Sequence, residues 1–120
     1  MLIKSVTGYC VVMPAWAVRK IGMIHGNELN ATQIGRQYSP SYFVVEKWLK
    51  LIRRTIECGA AYEEDGSAYT NGRTMIIRHR FDFVIGFDDQ AQKFTNFLHV
   101  VVKGGHVYTA YPREQARWES

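Results

Sequence analysis

The sequence predicts a single α+β domain of two layers, with N-terminal helices packed on one face of a C-terminal antiparallel β-sheet of about four strands. Three observations lead there. Residues 39–59 carry apolar side chains at helical spacing on an otherwise cationic segment. Residues 72–112 hold three strand-like runs joined by short turns. Alternate residues of those runs sort into an oily side and a charged side, so one sheet face packs on helices and the other stays open.

Residues 1–38 are mixed, and Gly22, Gly26 and Gly35 cut them into short pieces. A short helix is expected after Pro14, because proline is tolerated in a first helical turn. The opening stretch has an early lysine and an apolar middle, but Thr7, Gly8 and Tyr9 interrupt it and Pro14 follows, and it reads as part of the fold or an ordered arm. The helix over 39–59 takes Ser39 as N-cap, Pro40 as first helical residue and Gly59 as C-cap. Val44, Trp48, Ile52 and Ile56, flanked by Val45 and Leu49, form its apolar stripe, opposite Lys47, Lys50, Arg53 and Arg54. Residues 60–72, with Glu63, Glu64, Asp65 and Gly66, read as an exposed loop or a short edge hairpin.

The sheet is expected next. Over residues 74–85, Met75, Ile77, His79, Phe81, Phe83 and Ile85 share one side, and Arg78, Arg80 and Asp82 share the other. Over 95–103, Leu98, Val100 and Val102 oppose Thr95, His99 and Lys103. Turns are expected at residues 86–90 and 103–105. Counting back from Gly104-Gly105 sets Thr109 roughly opposite His99 or Val100, on the same face. A one-residue slip would instead send Val107, Thr109 and Tyr111 into the core, and Tyr108 and Ala110 fit a core as well.

The 120 residues suit one domain, and 47% hydrophobic and 13% aromatic content are those of a folded globule. The net charge of +4 is compatible with an anionic partner without requiring one. No run of about 20 apolar residues would span a membrane. Cys10 and Cys58 follow no ligand spacing and read as buried free thiols. His25, His79, His99 and His106 form no His-x-x-x-His pair or His/Cys cluster, and Asp88-Asp89 reads as a turn, so no metal or other cofactor is expected. Phosphate-cradling glycine loops and Gly-x-Ser-x-Gly are absent from the sequence.

A face bearing Arg78, Arg80, His99 and Lys103 is what holding and cleaving a phosphodiester requires. An arginine fork matches phosphate geometry, and histidine is the commonest general base near neutral pH. The plainer reading pairs the arginines with Asp82 or a neighbouring acid and makes His99 structural. His79 has core parity, His106 opens the last strand, and His25 is not placed by any pattern.

The segments RHRFDFVIGFDDQ, TNFLHVVV and GHVYTAYP resemble the C-terminal strands of the barnase–EndoU–colicin–RelE-like ribonucleases. The likeness is greatest to the toxin domains of contact-dependent inhibition and other polymorphic bacterial toxins. It covers about 40 residues clearly, and the helix before them fits the helix-then-sheet order. It implies a metal-independent RNA endonuclease acting on tRNA, with the concave sheet face as active site. Thr109 matches an active-site threonine of the terminal motif, Arg78 or Arg80 matches the cationic position, and His99 fits by parity.

On this view His99 takes the proton of a 2′-hydroxyl that attacks the adjacent phosphorus. Arg78 and Arg80 hold the phosphoryl oxygens, Thr109 donates a hydrogen bond, and Tyr111, Thr95 and Lys103 help to bind substrate. The second proton-transfer group is unassigned. The resemblance further implies delivery as part of a larger toxin into a target-cell cytoplasm, and an acidic immunity protein that covers the cationic face. The alternatives are a RelE-type ribosome-dependent mRNA interferase and a non-catalytic binding protein on the same scaffold.

Overall fold

The computed structural model describes residues 2–5, 8–25, 36–42, 44–116 and 118–119. Two helices pack on a mixed six-stranded sheet that curls strongly into a half-barrel, so the expected α+β class holds while the four-stranded antiparallel sheet does not. Strands β1 (Leu2–Lys4) and β2 (Cys10–Val12) pair antiparallel at one edge. Next come β9 (His106–Pro112), β8 (Phe97–Lys103), β5 (Thr74–Arg80) and β4 (Ala60–Tyr62). The β2–β9 contact is parallel and pairs only Val12 with His106, which is what makes the sheet mixed. A second sheet joins β3 (Arg36–Tyr38), β6 (Gly86–Asp88) and β7 (Lys93–Thr95).

The long strand expected over 74–85 ends at Arg80. Phe81 N–H donates to the Asn96 carbonyl and Ile85 N–H to the Thr95 carbonyl, so the chain swings out of the main sheet into the second one. Phe81 and Ile85 stay buried through this detour, while Phe83 is exposed. The run expected over 95–103 is likewise two strands, split at Asn96. The hairpin turn falls after Asp88, whose Oδ1 accepts the Gln90 N–H at 3.0 Å. The Gly104-Gly105 turn stands as expected, with both residues at positive φ. Residues 60–72 form the short edge hairpin: β4 pairs with β5, and Tyr62 bridges Ala68.

Helix α1 (Ala15–Ile24) follows Pro14 and buries Ala17 and Ile21. Helix α2 (Val45–Cys58) begins later than its sequence signals suggest. Ser39 N–H is taken by the Ile85 carbonyl, and Pro40–Tyr42 form a separate 3-10 turn, so neither Ser39 nor Pro40 serves α2. Its buried stripe is Trp48, Leu51, Ile52, Thr55 and Ile56, whereas Val44 and Val45 are exposed. Thr55 belongs there because its Oγ1 donates to the Leu51 carbonyl at 2.9 Å, satisfying the hydroxyl inside the helix. Gly59 ends α2 in an extended conformation, not the left-handed one. Both helices share one core with Met75, Ile77, Leu98, Val100, Val102, Val107 and Ala110, α1 lying against β9 and α2 against β8 and β5. Cys10 and Cys58 are free and exposed, against expectation.

Strand β9 resolves the register question with a bulge. Thr109 opposes Val101, but Val107 opposes Val102, so Tyr108 is the extra residue. Val107 and Ala110 thereby both enter the core, while Thr109 and Tyr111 stay on the opposite face. No helix of the described residues is long and apolar enough to cross a membrane.

Candidate functional site

Three strands bring the expected side chains onto one face. Arg78 on β5 is directly opposite His99 on β8, and His99 is directly opposite Tyr111 on β9. Thr109 lies two residues from Tyr111, opposite Val101, so it shares the His99 face as a diagonal neighbour. The strand parity that selected Arg78, His99, Thr109 and Tyr111 is therefore realised. Arg80 is exposed at the end of β5 opposite Phe97, and Lys103 is exposed at the end of β8. Thr95 does not join them. It lies buried in β7 opposite Gly86, and its Oγ1 accepts the Phe97 N–H at 3.1 Å.

The face is not open, as the sequence suggested. The segment after β9 folds back across it. Arg113 N–H donates to the Phe97 carbonyl, and Glu114 N–H donates to Asp88 Oδ2 at 2.9 Å. Ala116 is buried, and the Trp118 ring lies 4.7 Å from Tyr62 and 6.4 Å from His99. Beneath this strap Ile76 and His99 have no exposed surface and Val101 has 3%. Gly66 makes the seat possible, since a Cβ there would fall 2.6 Å from the Trp118 ring.

Arg78 is half-buried and committed to the strap. Its Nη2 donates to the carbonyls of Arg113 and Glu114, and the guanidinium stacks 3.8 Å from the Phe97 ring centroid. Burial draws its pKa below the usual arginine value, opposed by the carboxylates of Glu119 and Glu114. The expectation that Arg78 stands free on an open face is thus corrected: strap carbonyls take up its Nη2, while Nε is buried without a hydrogen-bond partner.

Two residues missing from the expected site stand out. His25 caps the C-terminus of α1, and its ring lies 5.3 Å from that of Tyr111, whose ring is in turn 5.7 Å from His99. Tyr111 therefore has an imidazole neighbour from the sheet and another from the helical layer. No sequence period could have marked His25, because its place depends on β3 returning past β9. Tyr38 N–H donates to the His25 carbonyl, and Tyr38 Oη donates to the Ala110 carbonyl at 3.1 Å. The other residue is Arg113, which joins Lys103, Tyr108, Thr109 and Tyr111 around a groove beside the strap.

His79 lies on the core parity, as expected, and contacts Phe81 edge-on at 4.8 Å. It lines a groove with Lys50, Leu51, Arg54 and Asp82, between α2 and the end of β5. Burial and the nearby Arg54 lower its pKa, and Asp82 opposes them. Among the described residues, no group of three or more His, Cys, Asp or Glu side chains converges to hold a metal.

The chain matches no family model, and no curated protein or solved structure shows significant similarity to it.

Proposed function

We propose that the chain is a metal-independent endoribonuclease, with tRNA as its substrate, working in the groove beside Tyr111. The observation that carries this reading is the placement of two imidazoles, His25 and His99, on either neighbour of one tyrosine that lines a cationic groove. Lys103 and Arg113 supply the positive charge, and Thr109 a hydroxyl donor, on the same groove. Such groups offset the charge that grows on the phosphoryl oxygens during attack.

In this mechanism His25 takes the proton of the 2′-hydroxyl as its oxygen bonds to phosphorus. The bond to the 5′-oxygen breaks, and the Tyr111 phenol protonates that leaving oxygen. The products are a 2′,3′-cyclic phosphate and a 5′-hydroxyl, and the proton on His25 returns to Tyr111 through water. His99, wholly buried, orients Tyr111 and does not touch RNA. An acidic immunity protein would be drawn to the same cationic groove, in keeping with a toxin delivered to a target cell.

A second reading, a binding protein without catalysis, is favoured by the strap over His99 and by the commitment of Arg78 to strap carbonyls. Incubation of the purified protein with total RNA and with purified tRNA, in EDTA, separates the two. Cleavage with cyclic-phosphate ends supports the nuclease. Binding without cleavage supports the second reading, and cleavage only when ribosomes are added would point to an interferase of the RelE type.

A further inference from the structure

Tyr108, the extra residue of the β9 bulge, lies against α1. Its ring meets Trp16 edge-on, with 6.2 Å between centroids, and the two rings are 42% and 44% exposed. Lys20 Nζ sits 3.4 Å from the Tyr108 ring centroid and 5.4 Å from that of Trp16. Lys103 Nζ lies 4.2 Å from the same tyrosine ring. Arg73 and His106 complete the hollow, and none of the described residues that line it is a carboxylate.

Two ammonium groups on one phenol ring repel each other. Ring faces attract cations without neutralising them. Burial and the proximity of Lys103 accordingly draw the Lys20 pKa below its ordinary value. The hollow therefore presents exposed aromatic faces together with positive charge that no carboxylate among its described lining residues offsets. A single-stranded polynucleotide answers both: phosphates neutralise the amines, and bases stack on rings. An acidic peptide brings the charge without obligatory planar faces. The hollow shares Lys103 and Tyr108 with the groove of Thr109, Tyr111 and Arg113, so Tyr108 is a common wall between them.

We infer that the hollow of Trp16, Arg73, Lys103 and Tyr108, with Lys20 against the Tyr108 ring, is a second subsite for single-stranded RNA, which holds the strand flanking the phosphodiester in the Tyr111 groove. Its placement beside a scissile phosphate rests on the nuclease reading above. The RNA-binding role itself is tested without cleavage.

The test is fluorescence anisotropy with a short single-stranded oligonucleotide carrying 2′-O-methyl groups, which cannot undergo 2′-hydroxyl attack. Wild type, Trp16→Ala, Lys20→Gln and Lys20→Arg are compared over a salt series, with circular dichroism checking the fold. Trp16→Ala should weaken binding by roughly 5- to 140-fold, the range for loss of one base–aromatic stack. Lys20→Gln should weaken binding and reduce the slope of log K against log salt by about 0.7, the value for one single-strand phosphate contact. Lys20→Arg should retain most of the affinity. With unmodified RNA, Trp16→Ala should raise KM on long substrates and leave dinucleotide cleavage unchanged.

Folded Trp16→Ala and Lys20→Gln variants that bind as wild type overturn the subsite, whether or not RNA is cleaved. Weakened oligonucleotide binding in a protein that cleaves no RNA supports the subsite and removes only the nuclease reading.

Discussion

His99 and Tyr111 are directly opposed across β8 and β9, their rings 5.7 Å apart and inclined by 25°, with His99 wholly buried and Tyr111 part-exposed at the groove. In the proposed mechanism the pair divides two duties: the imidazole orients the phenol ring, and the phenol faces substrate. His25 lies 5.3 Å from the same ring and is also part-exposed, and in the proposed mechanism it is the base that partners Tyr111.

Tyr111→Phe keeps the ring between the histidines and removes only the hydroxyl. It is expected to fold and to cleave RNA roughly 10²–10⁴-fold more slowly, the usual contribution of one acid–base group. His25→Ala should show the same loss of cleavage. Gel assays of RNA cleavage, beside urea denaturation curves, check both variants. Wild-type cleavage by Tyr111→Phe would remove the phenol from the mechanism.

Arg78→Ala is expected to cost stability, in contrast to an exposed phosphate-binding arginine. The substitution removes the guanidinium from Phe97 and leaves the Arg113 and Glu114 carbonyls without their donor. Hydrogen bonds from a charged group contribute roughly 1.5–3 kcal/mol, and half-burial places this site toward the lower part of that range. The strap should loosen with it, so limited proteolysis should cut after Pro112 sooner than in wild type. An unchanged urea midpoint together with weakened RNA binding would restore Arg78 as a substrate ligand.

Much of this arrangement was legible from alternation alone. Seven paired residues of β5 and β8 run without interruption, so parity placed Arg78 and His99 together and His79 on the other side. The strong stripe of α2 gave a helix, though its start moved because Ser39 pairs with Ile85. Alternation failed where strands are short or broken. β1 and β2 are three residues each, too few to show a period, and the sheet was therefore counted too small. Thr95 was placed on the His99 face by counting through Asn96, where the strand actually breaks. Tyr108 could not be recognised as a bulge, because either register of β9 offers apolar residues to the core. The strap, which decides the exposure of the whole face, has no periodic pattern at all.

Gly59→Ala is expected to destabilise the fold by roughly 1–3 kcal/mol, the cost of forcing a methyl group into a packed interior. The φ of −78° is open to any residue, so the cause is space and not backbone strain. A Cβ would lie 2.5 Å from the Thr55 carbonyl oxygen, 2.9 Å from that of Arg78 and 2.9 Å from Ile77 Cγ2. Two of those atoms are backbone of α2 and β5 and cannot rotate away. Chemical denaturation measures the effect, and a variant as stable as wild type would show that α2 shifts freely against the sheet.

Burial lowers the pKa of His79 from its ordinary 6.5, Arg54 lowers it further, and Asp82 partly offsets both. The groove around it also holds Lys50 and Arg80, so its surroundings are cationic on balance. The unfolded chain therefore binds a proton at this position more tightly than the folded protein does. Stability from neutral His79 is complete above 6.5 and is lost as pH falls through that value toward the lower folded pKa. The slope from this one group cannot exceed about 1.4 kcal/mol per pH unit. Denaturation of wild type and His79→Gln at a series of pH values between about 8 and 5 isolates the term. The variant is expected to lose less stability on acidification, with the difference confined to that interval. Parallel pH profiles would mean that protonated His79 is held as well in the fold as in the unfolded chain, with Asp82 prevailing over burial and Arg54.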